Sequence, residues 1–264
     1  MAVDKALFEA RKKRIAAEVR DTPSIIAKLY ARKDFSRVGH NVNLIARAIL
    51  LRGMMNHRVA GDIASAVADF RAASALTKDF DPAVEGIDKS GPQSGNAHLH
   101  AEDLGIPLYA CLLASDWERA KTVARFVSHP AVLAREDPVH GKMTALLAAL
   151  VLDDRERFRA LKAEYDGMKK SRWWQYFIHY VDLYASVIER GQPRFEALME
   201  EADKKFRARA KDRTFGDLRP EFGGLAENEM VLDFMALGIA KLAVRRGMRL
   251  ARDTDLVPRA LIDS

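Results

Sequence analysis

The residues of this chain best placed to do chemistry form one short run, His98-Leu-His100-Ala-Glu102-Asp103. On an extended backbone His98 and His100 project to the same side, and the carboxylates that follow add oxygen to their nitrogen, a mixed ligand set that suits a metal ion. A metal site needs more ligands at matching spacing, and the sequence offers no second pair. The plainer reading is a polar run leading into a helix whose first turn carries Glu102 and Asp103, where the positive end of the helix dipole favours anions. The spacing therefore predicts no metal and no cofactor.

Other reactive constellations fare no better. The chain lacks a Walker-type phosphate loop, a nucleotide-binding glycine fingerprint after a strand, and a nucleophile elbow. His57, His129, His140 and His179 each stand alone in local sequence. The single cysteine, Cys111, sits in the apolar run Leu108-Tyr-Ala-Cys-Leu-Leu113, so it reads as a small buried hydrophobe in a reducing compartment. No catalytic residues are assigned, and a protein that is not an enzyme is expected.

Residues suited to contact a partner are easier to find. From Thr77 to about Glu102 two prolines and three glycines break the helical pattern, predicting a long loop. Loops of that length in compact domains are functional or passive insertions. This one carries Asp79, Asp81, Glu85, Asp88, His98 and His100 as candidate contacts. The second candidate is Ser171-Arg-Trp-Trp-Gln-Tyr-Phe-Ile-His-Tyr-Val-Asp-Leu-Tyr184, where Trp173, Phe177, Tyr180 and Tyr184 share one helical face and Trp174, Ile178 and Val181 a neighbouring one. Two adjacent tryptophans cannot face one core. Either the helix is packed on two sides, or Trp173 and Trp174 form an aromatic patch for a partner.

The elements that must position these residues are helices. At 264 residues and 48% hydrophobic the chain can bury a large core, and its periodicity is helical throughout. A first helix is predicted from about Asp4 to Arg20, stopped at Thr22-Pro23-Ser24, with another following; a hairpin of about 41–57 and 63–76 comes next. A weak repeat then aligns Leu112–Ala120, Leu150–Phe158 and Val187–Phe195, with Ala120, Phe158 and Phe195 at equivalent places. In each, an apolar helix ends, a tight polar turn follows and a new helix begins, with Asp116 and Asp154 as N-caps and Pro193 at a helix start. That pattern predicts an all-α fold of stacked antiparallel helical hairpins, tetratricopeptide-like but irregular. One domain over 1–264 is expected, with a division at 77–102 separating an N-terminal helical unit from a larger one.

The last long helix, Leu225 to Arg246 before Gly247, is apolar almost all round, with only Asp233 and Lys241 charged between Met230 and Val244. It should be buried, the post around which the hairpins stack. The net charge of +6 comes from 43 basic residues interleaved with 37 acidic ones, which argues against nucleic acid as a partner. The N-terminus lacks the apolar region of a signal peptide and no window reaches membrane-spanning length, so a cytoplasmic protein without membrane contact is expected.

Leu242, Ala243, Gly247, Asp255, Leu256 and Pro258, an apolar helix closed by glycine and then an acidic turn with Leu and Pro, resemble the end of the immunity protein 49 family, with Val257 intruding before the proline. The turns Asp116-Trp-Glu118 and Asp154-Arg-Glu156 and the early Leu50-Leu-Arg-Gly53 are similar to the family too. The resemblance implies an all-helical, non-catalytic protein that binds and blocks a cognate bacterial toxin. A binder of that kind needs interface area and a few anchors. The alternative is a tetratricopeptide-like scaffold that holds a peptide or helix of a partner protein.

Overall fold

A computed structural model describes residues 5–90, 98–129, 132–133, 138–169, 177–211, 232–251, 253–254 and 256–264. The described chain is helical apart from one short parallel pairing, Leu99 with Val132 and His100 with Leu133. The all-α expectation holds, and this bridge is a small addition to it. The chain separates into two compact units, Asp4–Met168 and one built on Lys169–Ser264.

The larger unit opens with α1 (Lys5–Ala31), α2 (Phe35–Ala60) and α3 (Ile63–Ala75). The predicted stop at Thr22-Pro23-Ser24 is overturned, because α1 runs straight through Pro23. Ile15, Thr22, Ile26 and Leu29 form one buried stripe across that point, whereas Pro23 is exposed, so the missing N–H faces water. The Thr22 hydroxyl donates to the Glu18 carbonyl at 2.6 Å, and Ser24 to Asp21 at 3.1 Å.

The loop expected over 77–102 is also corrected. A 3₁₀ turn (Leu76–Phe80) leads into α4 (Asp81–Ser90), and the pairing strand β1 (Leu99–His100) leads into α5 (Ala101–Leu113). The helical stripe is there but short: Phe80, Ala83, Val84 and Ile87 are buried at the i, i+3, i+4 and i+7 positions. Gly86, which looks like a helix breaker, answers instead to a close approach. A Cβ there would lie 2.5 Å from Cζ of Phe35.

Behind this segment every residue of α5 except Ile106 is buried, and α5 packs on α2 and α3 before it and on α6 (Trp117–Val127) and α7 (Pro138–Val151) after it. It fills the middle of the larger unit. α8 (Arg155–Gly167) completes the second hairpin against α7.

The smaller unit holds α9 (Ile178–Ile188), α10 (Gln192–Lys211), the C-terminal helix Phe234–Arg245 and a closing turn of helix, Arg259–Ile262. The C-terminal helix is buried from Ala236 to Ala243, packs on α9 and the closing turn, and ends at Gly247 with φ of 84°. Residues 225–231 of the predicted helix lie outside the described residues.

The repeat seen in sequence is one turn used again and again. At Ala114-Ser115-Asp116 the Ser115 N–H bonds Leu112 and the Asp116 N–H bonds Cys111, while Ser115 takes φ of 57°. That is a Schellman close whose last residue is also the N-cap of the next helix, Asp116 accepting from the Arg119 N–H at 3.2 Å. Leu152-Asp153-Asp154 and Glu189-Arg190-Gly191 repeat the backbone bonds, and Arg32-Lys33-Asp34 and Gly61-Asp62 show the same device earlier in the chain. Fusing a C-cap to an N-cap satisfies orphan groups of both helices in three residues, which sets the antiparallel hairpins.

Candidate partner-binding sites

Of the acidic residues singled out from sequence, Asp81 is engaged in an internal ion pair at one corner of the larger unit. Arg119 of α6 reaches back across the corner. Its Nε donates to Thr77 Oγ1 at 2.7 Å, Nη1 to Asp81 Oδ2 at 3.0 Å and Nη2 to Asp81 Oδ1 at 2.8 Å, and Nη2 also bonds the Thr77 carbonyl. The Arg119 side chain is only 11% exposed, against 44% for Asp81, so the pair works as a planar fork that clamps the 3₁₀ turn to α6. Thr77 in turn donates to the Ser74 carbonyl at 2.7 Å, and Ser74 touches Asp116 Oδ2 at 3.3 Å. Cys111 lies beneath, and burial pushes its thiol up to about 11, which leaves it a protonated, unreactive filler.

Asp79 sits half-buried beside this clamp. Burial raises its carboxyl above the usual range, Arg119 opposes that, and Asp81 adds to it. Nearby, burial and then the charge of Asp79 push the Tyr30 phenol upward. A carboxyl whose folded value is raised binds its proton more readily folded than unfolded, so ionised Asp79 detracts from stability at neutral pH and ceases to do so below the ordinary carboxylate value. Asp79→Asn is therefore expected to raise the thermal midpoint at about pH 7 and to give no gain near about pH 3. Melting curves at the two pH values check it; a gain of equal size at both would refute the electrostatic origin.

The other candidates divide. Glu85 is exposed on α4, with Lys89 at 3.7 Å, and Asp88 lies on the same helix. His98 precedes β1 and His100 occupies the N-cap position of α5 without a side-chain cap bond. The structure thus pairs Asp81 with Arg119, leaves Asp79 within reach of both charges, and does not bring the histidines into that clamp. Among the described residues no three or more His, Cys, Asp or Glu side chains form a metal-holding group. Trp173 and Trp174 lie outside the described residues; of the aromatic face predicted with them, Tyr180 and Tyr184 are buried.

Arg119 itself escaped the sequence reading, since its partners stand 38 and 42 positions away. So did a second arrangement, in the smaller unit. Asp233, the one acid in the apolar helix, caps that helix by accepting from the Ala236 N–H at 3.0 Å and takes the Tyr180 hydroxyl at 2.7 Å. Its own N–H donates to the Leu256 carbonyl at 3.0 Å, so the Leu256-Val-Pro258 turn closes the start of the helix. The signal was present as a lone acid before an apolar run, an N-cap pattern. Asp233 also stands in the lining of a cleft of about 400 Å³ beside α10.

No described helix is long and apolar enough to cross a membrane. The family model for immunity protein 49 matches residues 41–261, spanning the hairpins, the Arg119 corner and the C-terminal helix. No curated protein and no solved structure matches the chain.

Proposed function

Because the chain belongs to the immunity protein 49 family, we propose that it binds a cognate bacterial toxin in the cytoplasm and neutralises it stoichiometrically by occluding the toxin's active site, without catalysis of its own. The family match over residues 41–261 is the observation that carries this reading. The fold suits such a role, because helices locked pairwise by fused caps present a surface that is formed before the partner arrives, which lowers the cost of binding. The candidate contacts are Asp79, Asp81, Glu85 and Asp88 on the corner made by the 3₁₀ turn and α4, His98 and His100 at the start of α5, and, as a separate candidate, Trp173 and Trp174. The Arg119 clamp gives that corner its rigidity.

Co-expression with the toxin encoded beside this gene tests the reading. Protection of the cells and a co-purifying complex are expected; loss of both sinks it. Within that assay Glu85→Lys, a charge reversal on an exposed helical position, should weaken the complex at least about tenfold, roughly 1.4 kcal/mol, with the thermal midpoint of the free protein unchanged.

The repeated turns of α5–α6 and α7–α8 favour one further reading, a tetratricopeptide-like scaffold for a peptide or helix of a partner. It predicts binding that survives when the partner is cut down to a linear peptide, which an occluded toxin active site would not show.

A further inference from the structure

The cleft beside α10 carries a charge pattern opposite to that of the whole chain. Among the described residues its lining holds four carboxylates, Glu196, Glu200, Asp203 and Asp233, against one cation, Lys204, in a protein of net charge +6. The floor is apolar and closed by Phe195, Ala236, Leu256 and Val257, all buried. Glu196, Glu200 and Asp203 fall at i, i+4 and i+7, so they form one rail about 10 Å long on the exposed side of that floor.

Three side chains of α10 meet the rail. Gln192 donates to Glu196 at 2.6 Å, Lys204 meets Glu200 at 2.9 Å and Arg207 meets Asp203 at 2.9 Å, all within α10. Lys204 is 71% exposed and Arg207 47%, and exposed pairs of this kind contribute about 0–1 kcal/mol, so incoming cations can replace them at little cost. Low-dielectric walls on one side concentrate the field of the acids at the mouth of the cleft.

We infer that this cleft docks a basic amphipathic helix of a partner protein. One large apolar side chain of that helix fills the cavity, whose volume accommodates an aromatic or leucine anchor. Lysines or arginines at i, i+4 and i+7 on the same helix meet Glu196, Glu200 and Asp203. An acidic helix is refused by the same rail. The inference rests on the reading of this chain as a protein-binding module and adds where the partner seats and what charge it bears.

The test uses the full chain and two synthetic amphipathic helical peptides of about 14 residues, roughly 20 Å long, one of leucine and lysine and one of leucine and glutamate. Fluorescence anisotropy should show the lysine peptide binding and the glutamate peptide not. Glu200→Gln with Asp203→Asn should weaken lysine-peptide binding at least about tenfold. Ala197→Trp should weaken it similarly by plugging the cleft from an exposed helical position. Glu156→Gln with Asp166→Asn on α8, an equal change of charge elsewhere, should leave binding within about twofold. Circular dichroism confirms that each variant folds. Equal binding of both peptides, or binding untouched by Ala197→Trp, overturns the inference. A toxin complex that forms while neither peptide binds removes the cleft and leaves the toxin-binding reading standing.

Discussion

Asp233→Ala is expected to destabilise the protein by about 2–4 kcal/mol, a large share of a typical domain's stability. Two losses add. The C-terminal helix loses its N-cap, which costs about 1 kcal/mol, and the Tyr180 hydroxyl, on a side chain with 0% exposure, loses the acceptor 2.7 Å away, which costs about 1–3 kcal/mol more. Asp233→Asn keeps a capping oxygen and should cost about half as much. Tyr180→Phe removes only the hydroxyl and leaves the cap intact, so its effect isolates the second loss. Urea unfolding followed by circular dichroism reads all three, and the midpoint should move with little change in slope. If Asp233→Ala unfolds at the native midpoint, the carboxyl does not hold the helix to α9.

Those residues also show which parts of the molecule could be read from its sequence. Helix identity was legible wherever the apolar period ran for several turns, as in α2, α7 and the C-terminal helix, because burial of one face is a local pattern. The fused turns were legible too, since Asp116 and Asp154 are N-cap residues directly after apolar runs. Reading failed where a distant residue decides. Pro23 and Gly86 are breakers by local rules, yet a continuous buried stripe carries α1 past the first and the ring of Phe35 explains the second. Phe80, Ala83, Val84 and Ile87 give too few turns of stripe to outweigh a proline and a glycine. The acids of that segment are visible in the sequence as a group. Their attachment to Arg119 could not be seen, because ion pairing across 38 positions leaves no periodic trace.

The same logic makes Asp69 the second sensitive point. Asp69, on α3, accepts from Arg52 Nε at 3.0 Å and 3.1 Å and from Asn56 Nδ2 at 2.9 Å, both on α2. Gly53 lets the two helices come this close, since a Cβ there would lie 2.9 Å from Cε1 of Phe70. The Asp69 side chain is 10% exposed and that of Arg52 22%, so the pair has given up most of its hydration. Asp69→Ala should therefore cost about 3–5 kcal/mol, because it strands a guanidinium and an amide in a poorly hydrated seam. Arg52→Met leaves the carboxylate with the Asn56 amide but without its cation and should cost a similar amount. The double variant Arg52→Met/Asp69→Ala leaves no stranded charge, and its loss should fall short of the two single losses summed by about 2 kcal/mol or more. Additive losses would mean that the seam is held by packing around Gly53 and Phe70, with the ion pair a bystander. A strong coupling would mean that the charges fix how α2 meets α3, the pair on which α5 rests.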